Sequence, residues 1–116
     1  MSDIEHIVLW PFKNTSDLEF AAQAIKSTVG KARHDGEPYV LSVKCGTTRP
    51  SPPVRSRGFN LASIIRFRTD DDRSYFVKED PAHKELVGLV KDKLASDILV
   101  LDFIDGAVEH IPTTAC

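Results

Sequence analysis

The sequence predicts an α+β fold of ferredoxin-like type, in the order β-α-β-β-α-β with a four-stranded antiparallel sheet. Three observations carry this expectation. Four short apolar runs rich in β-branched and aromatic residues occupy 4–12, 38–45, 60–67 and 97–106. Segments with helical spacing separate the first run from the second and the third from the fourth, whereas a loop joins the second to the third. The first and last runs are apolar at both parities, so both of their faces call for burial.

In the first run, IEHIVLWPF, Pro11 marks an end or an edge, because proline cannot donate to a ladder. The stretch 14–32 is helical. Ser16-Asp17-Leu18-Glu19 reads as a capping box, and Leu18, Ala21, Ala22, Ile25 and Val29 recur at helical spacing. In the second run Tyr39, Leu41 and Val43 share one face. Residues 46–58, with Pro50, Pro52 and Pro53 and with Arg49, Arg55 and Arg57, read as loop. The third run is NLASIIRF. Thr69 to Asp72 open a short helix through about Glu79, and Asp80-Pro81 starts another. Asp is a strong N-cap, and Pro is favoured at the following position. His83, Leu86, Val87, Val90 and Leu94 then share a helix face. The last run, DILVLDFIDG, closes a domain of residues 1–106, leaving 107–116 as a C-terminal tail with little order expected.

The two apolar faces go beyond the basic fold. Ile4, Val8 and Trp10 lie on one side of the first strand, with Ile7 and Leu9 on the other. In the last strand Ile98 and Val100 oppose Leu99, Leu101 and Phe103. Helices cover one face of such a sheet. The other is most simply covered by a second copy, so a homodimer through the sheet faces is expected, the two sheets forming a dimeric α/β barrel.

Composition excludes several classes. The 116 residues form one domain, and 41% hydrophobic with 28% charged residues is ordinary for a globular chain. A formal charge of −2, from 15 basic and 17 acidic residues, argues against a nucleic-acid partner. No run is long enough for a membrane span, and no signal peptide is visible, so a cytoplasmic location is the default. Cys45 and Cys116 make no disulfide framework, and no histidine or cysteine spacing suggests a metal site or cofactor.

Four motifs in order resemble the stress-responsive dimeric α/β-barrel (Dabb) family over roughly residues 4–105. They are His6-Ile7-Val8-Leu9-Trp10-Pro11-Phe12, Gly58-Phe59 closed by Phe67, Asp80-Pro81-Ala82-His83, and Asp102-Phe103. The resemblance implies the dimeric barrel argued above. The family includes stress-induced proteins without assigned chemistry and a plant branch of the olivetolic acid cyclase type, which folds polyketides by aldol condensation. In that branch the histidines matching His6 and His83 line a pocket between sheet and helices, with a tyrosine before the P-A-H motif. Tyr75 is the candidate here, although Val77 holds the strict six-residue spacing. By the same parity Val8, Trp10, Leu61, Ser63, Ile65, Phe67 and Leu86 would line a pocket for a small apolar or aromatic ligand.

The resemblance thus points to cofactor-independent acid–base chemistry on a carbonyl compound: cyclisation, dehydration, decarboxylation or isomerisation. His83 would be the base, His6 its orienting or relaying partner and Tyr75 the acid. An imidazole transfers protons near neutral pH, and a helix N-terminus favours its neutral form. The competing expectation is a non-catalytic stress protein or binding module with structural histidines. A haem-degrading or quinone-oxidising monooxygenase, a third class on this barrel, has no assignable axial ligand here. The Arg49, Arg55 and Arg57 loop reads as solvated, Asp70-Asp71-Asp72 as helix N-terminal charge, and Cys45 as a small buried hydrophobe. His34 and His110 receive no role.

Overall fold

The computed structural model describes residues 3–49 and 53–110. The strands are β1 (Ile4–Trp10), β2 (Val40–Thr47), β3 (Leu61–Phe67) and β4 (Leu99–Ile104), and the helices are α1 (Leu18–Lys31), a single turn α2 (Pro53–Ser56), α3 (Asp70–Lys78) and α4 (Pro81–Val90). The sheet runs β2-β3-β1-β4 with every neighbouring pair antiparallel. That is the expected ferredoxin-like arrangement, since β1 and β2 are split by an intervening antiparallel strand.

Helices cover the face that carries Ile4, His6, Val8 and Trp10, all of them buried. Alternate residues of β3, namely Leu61, Ser63, Ile65 and Phe67, are buried on the same side. Leu18, Ala21 and Ile25 of α1 and Leu86 and Val90 of α4 pack against Val8, Trp10 and Leu61. Phe76 of α3 packs with Ile65 and Phe67 in a second cluster.

Pro11 ends β1 as expected, and a side chain then extends the pairing. The Phe12 N–H donates to Asn60 Oδ1 at 2.9 Å, and Asn60 Nδ2 donates to the Phe12 carbonyl at 3.0 Å. The two later helix starts also form as expected. Thr69 Oγ1 accepts from the Asp72 N–H at 3.1 Å, and Asp80 Oδ1 accepts from the Ala82 N–H at 2.8 Å.

Three local expectations are corrected. The capping box at Ser16–Glu19 is replaced by a 3-10 turn over Thr15–Asp17, and the Asp17 side chain makes no cap bond to α1. In the tighter turn the Asp17 N–H donates to the Asn14 carbonyl and the Leu18 N–H to that of Thr15. The alternation of Tyr39, Leu41 and Val43 is broken by a bulge: Val40 pairs with Phe67, but Ser42 pairs with Arg66. The extra residue turns Leu41 outwards while Val43 and Cys45 pack inwards. The 46–58 segment is not all loop, because β2 continues to Thr47 and Pro53–Ser56 forms a helical turn. Residues 50–52 of that loop and 111–116 of the tail, including Cys116, lie outside the described residues.

Candidate functional site: two histidines in an apolar cavity

A cavity of about 560 Å³ lies between the sheet and α4. Val8, Trp10 and Ile65 form its floor, and His83, Leu86, Val87 and Val90 come from one face of α4. Phe76 and Val77 of α3, Val100 of β4 and Ile98 just before that strand also line the cavity. Trp10 adds area without adding polarity, because its indole N–H donates to Ser63 Oγ at 3.1 Å.

His6 and His83 both line this cavity. His6 lies opposite Asp102 in the β1–β4 register, and its Nδ1 bonds to Asp102 Oδ1 at 2.6 Å. The carboxylate accepts from Nδ1–H, so in the neutral ring Nε2 is left as the acceptor. Behind it, Arg73 Nη1 stands 3.7 Å from Asp102 Oδ2, and Arg73 Nε donates to Asp70 at 2.9 Å. The His6 ring also meets Phe67 edge-on at 6.1 Å.

His83 is half-buried and meets the Phe76 ring edge-on at 5.0 Å. Burial holds its pKa below the usual histidine range, the nearby His6 adds to that, and Asp80 opposes both. At neutral pH His83 is therefore uncharged and able to accept a proton.

The anticipated pocket residues divide into two groups. Val8, Trp10, Ile65 and Leu86 line the cavity, whereas Leu61, Ser63 and Phe67 do not. Parity placed those three on the correct face, but α1 and α4 cover Leu61, Trp10 holds Ser63, and Phe76 covers Phe67 at 5.3 Å. Tyr75 does not join the histidines. It stacks on His34 at 3.9 Å and 4°, in a separate cleft with Lys31, Arg33 and Asp80. Because α3 is regular, the residue two positions later, Val77, is the one that reaches the cavity. His34, given no role from sequence, thus holds Tyr75 and also bonds Asp72 at 3.3 Å.

Sequence reasoning passed over Asp102 as a site residue. Its signal was a lone carboxylate within the apolar strand LVLDFI, opposite a histidine once the strands pair. Among the described residues no cluster of metal-ligating side chains occurs, and no helix is long and apolar enough to cross a membrane.

Residues 4–105 match the family model of the stress responsive A/B barrel domain, Dabb. The chain belongs to that family. A fusaristatin A biosynthesis cluster protein of Gibberella zeae is 22% identical over 83 residues, covering 72% of this chain. The match takes in 59% of that longer relative, so the chain spans about three fifths of its length. The hydroxynitrile lyase of Passiflora edulis superposes with a TM-score of 0.71 at 22% identity, covering 96% of this chain and 98% of the lyase. A dimeric ferredoxin-like protein of unknown function from Thermobifida fusca gives 0.69 at 16% identity, covering 89% and 91%. At these identities the structural likenesses establish the Dabb-type α+β fold.

Proposed function

We propose that this Dabb protein is a homodimer that binds a small, largely apolar carbonyl compound and performs cofactor-independent acid–base chemistry on it. The observation that carries the reading is the pair of imidazoles, His6 and His83, lining one largely apolar cavity whose other polar residues are Lys91, Ser96 and Asp97. A polyketide-like or aromatic substrate fits such a lining, with Val8, Trp10, Ile65 and Leu86 as its apolar contacts.

In an aldol-type cyclisation, His83 removes a proton from a carbon flanked by carbonyls. The enolate attacks a second carbonyl of the same molecule, forming a carbon–carbon bond and an alkoxide. The alkoxide then takes a proton from an imidazolium, which restores the starting protonation. His6 suits the relay, because Asp102 fixes its ring and stabilises the charge it gains. Dehydration and decarboxylation use the same groups. Tyr75 has no step, being outside the cavity. Two relatives support this direction: the Passiflora edulis protein is a lyase of hydroxynitriles, and the Gibberella zeae protein belongs to a biosynthesis cluster.

The dimer rests on the uncovered sheet face. Ile7 sits between Ile64 and Leu101, and Leu9 between Ala62 and Leu99, in one apolar patch. Leu99, Leu101 and Phe103 are 42%, 50% and 49% exposed in the single chain. Patches of this kind on a soluble domain are usually covered by a partner. The Thermobifida fusca protein, similar in fold, is dimeric.

Turnover of short linear β-polyketones and aromatic cyanohydrins tests the reading. His83→Ala should lose at least about 100-fold in kcat while remaining folded and dimeric. Unchanged turnover would reject the mechanism. One observation favours the alternative, a non-catalytic binding module: His6 is hydrogen-bonded and packed as a core residue would be. Binding across the panel without turnover by the native chain would select that alternative.

A further inference from the structure

Asp80 does more than start a helix. It is 2% exposed, a burial that a carboxylate tolerates when its oxygens are satisfied. Oδ1 accepts from the Ala82 N–H at 2.8 Å, and Oδ2 accepts from the Tyr39 hydroxyl of the segment entering β2. The backbone N–H of Asp80 donates to the Tyr75 carbonyl at 2.9 Å, and its carbonyl accepts from the His83 N–H at 3.1 Å. In a capping box, the third residue of the helix returns a side-chain bond to the N–H of the cap. Here the last turn of α3 has taken that N–H. His83, which holds the third position, is left with its ring on the cavity.

We propose that Tyr39 and Asp80 form a positioning pair for His83: the phenol anchors a buried carboxylate, and the carboxylate fixes the helix start and supplies the negative charge beside the ring. Burial, and then Asp80, push the Tyr39 hydroxyl far above the ordinary phenol range, so it stays a hydrogen-bond donor at all working pH values. The groups around His83 are His6 from β1, backed by Asp102 of β4 and Arg73 of α3, the Phe76 ring of α3, and Asp80 at its own helix start, with Lys91 and Asp97 lining the same cavity from the segment after α4. Burial and His6 lower the proton affinity of His83, and Asp80 raises it. Asp80 therefore keeps this imidazole from becoming too weak a base, and the Tyr39 hydrogen bond moderates the charge that Asp80 presents. The inference deepens the reading of His83 as the working base and rests on it for its effect on turnover.

Proton NMR titration of the histidine ring C–H signals in the substrate-free full chain tests the pair, with His83 assigned through His83→Gln. Asp80→Asn keeps an acceptor for the cap and removes the charge, so the His83 midpoint should fall by about 0.5–1 unit, with His110 unmoved. Tyr39→Phe leaves the charge with one donor fewer, and the midpoint should rise. A lowered Tm with an unmoved His83 midpoint in Asp80→Asn would show Asp80 to be a cap alone and overturn the proposal. An unmoved midpoint in Tyr39→Phe would remove the phenol from it. If Asp80→Asn does not fold, Asp80→Ser, a strong N-cap without charge, carries the same expectation. Because no substrate is present, the result stands apart from whether the cavity turns anything over.

Discussion

His83 and His6 have the same side chain and opposite surroundings. His83 sits against Phe76 with its charge disfavoured by burial, whereas His6 has a carboxylate on Nδ1 at 2.6 Å. The lowered proton affinity of His83 sets a pH dependence. Its unfolded form takes up a proton near pH 6.5, while the folded form does so only at lower pH. The unfolded chain thus binds more protons in that window, and the contribution of His83 to stability falls as pH drops from about 6.5. Loss of turnover on acidification should track the same folded midpoint. A pH–rate profile whose acid limb lies above 6.5 would contradict this assignment. Asp102→Asn should lower kcat by at least about 10-fold with a smaller change in KM, since Asp102 acts through the orientation of His6 rather than on a substrate. Both histidines were legible in the sequence as motif positions. Asp102 was legible as part of the Asp102-Phe103 motif but not as a site residue, because that role comes from lying across the β1–β4 ladder from His6.

At the scale of elements, α4 supplies one wall of the cavity, and its sequence says so. His83, Leu86, Val87 and Val90 share the face that lines the cavity, whereas Leu94, expected on the same helix face, lines it from beyond the end of α4. Leu86 is 2% exposed and packs on the α1–sheet core as well. Leu86→Ala should therefore cost about 2–3 kcal/mol in denaturant unfolding while enlarging the ligand space. A cost under about 0.5 kcal/mol would mean that the cavity already relaxes around this position. The elements also show where pattern reading fails. Parity along β2 survives only to the bulge at Leu41, and nothing in VLSV marks an inserted residue. Helical spacing in α3 places Val77 at the cavity and Tyr75 on His34, so the anticipated tyrosine lies in the other cleft.

For the whole molecule, the decisive feature is the bare sheet face. Its central stripe pairs Ile7 with Ile64 and Leu101, while Glu5 and Arg66 form an ion pair at 2.9 Å at one end. The proposed dimer predicts that multi-angle light scattering at micromolar concentration gives twice the chain mass. Leu101→Glu, at a residue 50% exposed in the single chain, should then yield a monomer with its helix-side core intact. A native chain that runs as a monomer would remove the dimer from the reading.

The resemblance to the Dabb family pointed to His6 and His83 as a pair, while the order of elements and the place of His83 on an apolar helix face followed from the sequence by itself. These depend on periodicity and capping, which act over a few neighbouring residues and leave a mark at each step. The Asp102–His6 bond, the Tyr39–Asp80 bond and the separation of Tyr75 from the cavity were decided only by tertiary structure. Their partners lie 96, 41 and 41 residues apart, counting the last as His34 to Tyr75. No local preference encodes contacts across such distances; they exist because strand register and helix packing bring the side chains together.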